Sequence, residues 1–291
     1  MTLTGFDLII QRITEWATAR DDVRAAIILG SRARQQSPAD EWSDLDVWLI
    51  VNDPALYVAE PGWIETFGKP WLTFLEQTNV EGVYERRVLY EGGFDVDFIP
   101  LPAAFIEGLI HSKTLPDSTA MTIRRGVRFL VDKDDLQAKL LSLPLTTTPS
   151  KPPSQQEFTN VVGDFWYHAV WTAKKVRRGE LWTAIDCLSS YMTWHALIPM
   201  IYWHTLAVRG AAYETWHKGR FLEQWADPRI LEGMKQSFAR YDADDIARAI
   251  WGMCDLFAWL APETAERLGY GYDAESQRRI TAYLVTLLPR P

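Results

Sequence analysis

Residues Ala25 to Val51 read AAIILGSRARQQSPADEWSDLDVWLIV. An apolar run, Ala25–Leu29, stops at Gly30-Ser31. A polar loop follows, and Asp44 and Asp46 open a second apolar run, Val47–Val51. Strand, tight turn, loop, strand is the reading this pattern supports. Because side chains alternate faces along a strand, Asp44 and Asp46 project to one side while Leu45 and Val47 project to the other. Two carboxylates leading into so apolar a run repel each other unless a cation sits between them, so the pair makes a site for a hard divalent ion. Gly30 lets the backbone approach a ligand closely, and Ser31 offers a hydroxyl and an N–H to a phosphate.

Outward from this unit, the N-terminal stretch spaces Leu8, Ile9, Ile13 and Trp16 as an amphipathic helix rather than a leader. Asn52 to Pro70 reads as a loop. Strands are expected at Trp71–Glu76, Glu85–Glu91 and Phe94–Ile99, the last ended by Pro100, with a helix from Leu101 to His111 and a short apolar run from Gly126 to Val131. Leu143 to Gln156, rich in Pro, Thr and Ser, reads as linker, since proline removes donors and the hydroxylated residues bury nothing. Beyond it helical periodicity takes over: helices are expected from Val162 onward, from Leu181 to Val208 with a kink at Pro199, and over Gly219–Arg240, Ala243–Trp259 and Glu275–Leu288. The fold class is therefore α+β, a first domain with a small mixed sheet (1–145), a linker (146–156) and an all-α bundle (157–291).

The 291 residues carry a net charge of −8 without a cluster of lysines and arginines. A polynucleotide needs a basic footprint, so no nucleic-acid partner is expected; a small cationic substrate suits the charge better. No segment has the apolar length of a membrane span. Cys187 and Cys254, in helical patterns without metal-ligand spacing, read as reduced core residues of a cytoplasmic protein, and a monomer is expected.

Nucleotidyl transfer needs metal ions on the triphosphate, a phosphate cradle and a base near the nucleophile. A third acid should come from a neighbouring strand, where Asp95 and Asp97 share one face and stay as alternatives. On the first helix of the second domain, Tyr167, Trp171, Lys174 and Arg178 form a stripe. It reads either as an ordinary amphipathic flank or as a face whose Lys174 and Arg178 reach phosphate. His168, His195, His204 and His217 lack the spacing of a metal site.

Gly30-Ser31-Arg32 followed by Asp40-Glu41-Trp42-Ser43-Asp44-Leu45-Asp46 resembles the aminoglycoside (streptomycin) 6-adenylyltransferase family of polymerase-β-like nucleotidyltransferases. The similarity continues through Phe94-Asp95-Val96, Leu130 to Asp134, Asp164-Phe165-Trp166 with Ala173-Lys174, Pro199-Met200, Trp203-His204 and Met253 to Phe257. The resemblance implies transfer of AMP from ATP to an aminoglycoside hydroxyl, with release of pyrophosphate and a need for Mg²⁺, two ions in all. It makes Asp44 and Asp46 metal ligands and places Gly30, Ser31 and Arg32 on the nucleotide-binding loop. Lys174, with Arg178 beside it, becomes a phosphate contact. Counted back from Pro100, Asp95 falls at the third acid and general base, also a metal ligand, while Asp97 stands where an uncharged residue is expected. Lys175, Arg177 and Tyr202 are further departures, in the domain that chooses the acceptor. Two other readings keep part of this chemistry: a different small hydroxyl compound or a protein side chain as acceptor, and nucleotide binding without turnover.

Overall fold

A computed structural model describes residues 5–78, 80–112, 117–143, 145 and 151–290. The chain divides into two compact units, Met1–Thr148 and Pro149–Pro291. The first part of the expected linker, residues 146–150, lies outside the described residues, as does the side chain of His217.

The first unit is built on a six-stranded mixed sheet. Its strands are β1 (Val23–Leu29), β2 (Leu45–Val51), β3 (Pro70–Gln77), β4 (Tyr84–Tyr90), β5 (Phe94–Pro102) and β6 (Arg128–Asp132), in the order β3-β4-β5-β2-β1-β6. β2 and β5 run parallel and every other pair is antiparallel. Helix α1 (Phe6–Ala19) buries Phe6, Ile9, Ile10, Ile13 and Ala17, a stripe at helical spacing. That stripe joins Leu45, Val47, Leu49, Val96 and Phe98 in one core on one face of the sheet. The other face carries Ile27, Ile50 and Leu101 under Ile106 and Leu109 of α3 (Ala103–Ser112).

Several expectations change here. The loop from Asn52 to Pro70 contains α2 (Pro54–Ala59) and a 3-10 turn, Pro61–Thr66. The side chain of Asp53 caps α2 by accepting from Ala55 N–H, with Pro54 in the first turn. Pro100 does not end β5, which runs on to Pro102 and stays in register with β2. β4 pairs with β5 only as far as Phe98; past that point one flank is open, and a missing proline N–H costs no ladder bond there. A helix absent from the sequence reading, α4 (Asp117–Arg125), precedes β6, and α5 (Leu136–Leu141) follows it.

The second unit is all helical: α6 (Gln155–Arg177), α7 (Leu181–Asp186), α8 (Ile198–Arg209), α9 (Leu222–Trp225), α10 (Pro228–Lys235), α11 (Ala243–Leu268) and α12 (Ala274–Leu287). Ser154 and Glu157 close a capping box on α6. The phenyl rings of Phe165 and Phe257 stack at 3.7 Å in the core between α6 and α11. Between α7 and α8 the backbone winds as a π-helix, Cys187–Leu197, and Ile198 N–H donates to Thr193 O, five residues back. This wider turn ends just ahead of Pro199, which falls in the first turn of α8. The helix expected over Gly219–Arg240 is broken: Phe221 takes a left-handed conformation and Pro228 starts α10 afresh. α11 instead runs past Trp259 and through Pro262, held by the burial of Ala261, Thr264 and Ala265. Both cysteines are buried and unbridged. Among the described residues, no helix is long and apolar enough to cross a membrane.

Candidate active site

β2 lies between β1 and β5, and its register decides the site. Asp46 stands opposite Leu29, the last residue of β1, and beside Asp97 of β5. Leu45 and Val47 are buried in the α1 core, so Asp46 projects from the opposite face, with Asp44 just before the strand. Asp44, Asp46 and Asp97 each offer a carboxylate oxygen, all within 4.8 Å of one another. Asp95, expected as the third acid, does not belong to this group. It is exposed and pairs across to Leu89, one side-chain repeat or roughly 7 Å back along β5. Register accounts for the grouping: alternation puts Asp95 and Asp97 on one face, and the parallel pairing brings Asp97 level with Asp46.

Asp97 is 9% exposed. Burial pushes its pKa up to about 7, the Arg87 guanidinium opposes that shift, and the carboxylates of Asp46, Glu85 and Asp44 add to it. Arg87 Nη1 sits 3.5 Å from Asp97 Oδ2. The same guanidinium is held by Glu76 Oε2 at 2.8 Å and Glu85 Oε1 at 2.6 Å. The sequence reading did not single out Arg87. Its signal was the pair Arg86-Arg87 inside a strand, which sends one guanidinium to each face. Arg86 is the buried one and donates to the carbonyls of Tyr57 and Val58 at the end of α2.

Gly30 opens a 3-10 turn, Gly30–Arg32, with φ +65°. A Cβ placed there would lie 2.3 Å from Asp46 Oδ2, so only glycine fits between the turn and the carboxylate. Ser31 is buried, and its Oγ has no hydrogen-bond partner among the described residues. Arg32 spends its donors on the loop that carries Asp44. Nε bonds Asp44 O at 3.0 Å, Nη2 bonds Ser43 O at 2.6 Å and Asp40 O at 3.4 Å, and the guanidinium lies 3.5 Å from the centre of the Phe6 ring. Lys174 and Arg178 belong to the second unit. Lys174 Nζ is 5.8 Å from the Tyr283 ring of α12, and Arg178 is ion-paired with Glu180.

The sequence model of the family described as streptomycin adenylyltransferase matches residues 7–287. The chain belongs to the streptomycin adenylyltransferase family. It is 22% identical over 267 residues to an aminoglycoside 6-adenylyltransferase of Staphylococcus aureus, covering 91% of this chain and 92% of that one. It is also 22% identical over 270 residues to an aminoglycoside 6-adenylyltransferase of Bacillus subtilis (strain 168), covering 89% of each. A crystal structure of an aminoglycoside 6-adenyltransferase from Bacillus subtilis aligns with 98% of this chain and 99% of its own, at 18% identity and a TM-score of 0.45.

Nucleotidyltransferases of this kind imply ATP and a divalent metal, and the residues of this streptomycin adenylyltransferase family member fit both. The donor set of Asp44, Asp46 and Asp97 is all carboxylate oxygen, which suits Mg²⁺. Beside it, the unsatisfied Ser31 hydroxyl suits a phosphate oxygen.

Proposed function

We propose that this chain transfers AMP from Mg·ATP to a hydroxyl group of a streptomycin-like aminoglycoside and releases pyrophosphate. The observation that carries the reading is the closure of Asp97 onto Asp44 and Asp46, directly beside the Gly30–Ser31 turn. The names of the relatives support an aminoglycoside acceptor with adenylylation at the 6 position, and the net charge of −8 agrees with a small cationic substrate rather than a polynucleotide.

Magnesium held by Asp44, Asp46 and Asp97 would neutralise triphosphate charge and polarise the phosphorus under attack. Ser31 donates its hydroxyl hydrogen to a triphosphate oxygen, the partner its buried Oγ lacks among the described residues. Arg32 fixes the loop that presents Asp44. The acceptor oxygen forms a bond to the α-phosphorus as the bond to the pyrophosphate oxygen breaks. Asp97, pushed up to about 7, takes the hydroxyl proton. Arg87, pinned by Glu76 and Glu85, limits where the Asp97 carboxylate can turn. Of the two phosphate-contact candidates that the resemblance implies, Lys174 and Arg178, Arg178 is committed to Glu180 and is the weaker.

The test is pyrophosphate release from Mg·ATP with streptomycin, wild type against Asp46→Asn. The expected result is streptomycin-dependent release that falls at least about 100-fold in the variant, because a metal-binding charge is lost while the side-chain shape is kept. Release that needs no acceptor, or that survives the substitution, overturns the reading. AMP appearing on protein instead of streptomycin would move the acceptor to another class.

A further inference from the structure

A second cluster of functional side chains lies wholly within the helical unit. His168 of α6 lies against Tyr191 of the π-helical stretch at 4.3 Å between ring centroids, the planes tilted by 42°, and Tyr191 lies against His195 at 4.4 Å, tilted by 32°, a ladder of three rings. The Tyr191 hydroxyl donates to Asp164 Oδ1 at 3.2 Å, and His168 Nδ1 lies 3.1 Å from the same oxygen. Asp164 Oδ2 has no hydrogen-bond partner among the described residues. Tyr167, 65% exposed, stands edge-on to His168 at 5.1 Å. Asp164, Tyr167, Tyr191 and His195 line one open depression of about 610 Å³, with Asn160 on its rim.

None of these rings belongs to the apolar core of the unit. Three exposed rings, Tyr167, Tyr191 and His195, with the partly buried His168 behind them, surround a half-satisfied carboxylate and need a reason other than packing. Tyr191 and His195, four residues apart, share one side of the π-helical stretch, where Tyr191 meets His168 of α6. A carboxylate flanked by electron-rich ring faces is the chemistry that recognises an organic cation. An anion would meet the Asp164 charge, and a neutral nucleobase would stack but leave that charge unmatched.

We propose that this depression binds a guanidinium or ammonium group of the cationic acceptor, with Asp164 as the counter-charge and Tyr167 and Tyr191 as the aromatic walls. The inference rests on the acceptor class proposed above. It makes Asp164 and Tyr167 residues of acceptor recognition, acting on affinity for the antibiotic and not on nucleotide.

Calorimetric titration of the full chain with streptomycin, without ATP, tests it. Asp164→Asn is expected to weaken binding at least 10-fold and Tyr167→Ala about 3-fold, with matching rises in KM for streptomycin and an unchanged KM for ATP. Tyr167 is exposed, so its variant keeps the test meaningful if Asp164→Asn lowers the melting temperature. Wild-type affinity in both variants overturns the proposal, as does a wild type that binds no streptomycin, and a rise in KM for ATP alone would assign the depression to the nucleobase. Asp46→Asn run in parallel separates the two readings. If it binds streptomycin normally but still releases pyrophosphate, the catalytic reading fails while the binding comparison stands.

Discussion

At Gly30 a single hydrogen atom, in place of a methyl group, leaves room for the Asp46 carboxylate. Alanine there would take a left-handed φ that costs about 1–2 kcal/mol, a modest loss of stability. Its Cβ would also push on Asp46 Oδ2, which does not tolerate displacement if it is to share an ion with Asp44 and Asp97. Gly30→Ala is therefore expected to lower thermal stability slightly and pyrophosphate release at least about 100-fold. A fall in activity no larger than the fall in folded fraction would remove Gly30 from the site. Asp97 gives a pH signature. Its carboxyl is pushed up to about 7 in the folded chain, against about 3.9 when unfolded, so the native state holds the proton more tightly. Stability without a divalent ion accordingly falls as pH rises from about 4 through about 7 and stays lower above that. In EDTA, Asp97→Asn should melt with the wild type near pH 4 but be more stable at pH 8, by on the order of 2 kcal/mol. Thermal melts across that range check it, and Mg²⁺ should narrow the difference by favouring the ionised carboxylate.

Among the elements, those written in a single period were legible and those that depend on a neighbour were not. The apolar runs on either side of Gly30-Ser31 identify β1 and β2, and alternation alone puts Asp44 and Asp46 on one face. The same alternation cannot separate Asp95 from Asp97; only the register with β2 does that, and register is a property of two strands. Pro100, expected to end β5, is an interior residue of it with an open flank. The helix missed at α2 and the helix restarted at α10 share a signature that was present in the sequence. In each, Asp followed by Pro supplies a cap and then a residue with no N–H to satisfy, as Asp53-Pro54 and Asp227-Pro228. The ring ladder of Tyr191 and His195 lay beyond sequence reading for a different reason. Their four-residue spacing puts them on one side of a helix, but only the packing of that stretch against α6 brings His168 to Tyr191.

Over the whole molecule the two units keep separate apolar cores, one sandwiching the sheet and one filling the helical bundle. Phe98 is fully buried in the first and Phe257 in the second, where it stacks on Phe165. Truncating either to alanine should cost about 3–5 kcal/mol. Scanning calorimetry should show the loss in different places, Phe98→Ala lowering one transition and Phe257→Ala the other. A single endotherm moved equally by both would mean that the units unfold as one.

The parallel pairing of β2 with β5 has a consequence for the order in which the chain folds. β1 and β2 meet across a short loop, and β3, β4 and β5 follow one another as antiparallel neighbours, so each of these groups forms from nearby residues. Setting Asp97 level with Asp46 instead requires the two groups to find each other across everything between them, and such distant contacts form slowly. The carboxylate triad therefore depends on a long-range pairing, and only a chain in which β2 and β5 have met brings Asp97 to Asp44 and Asp46.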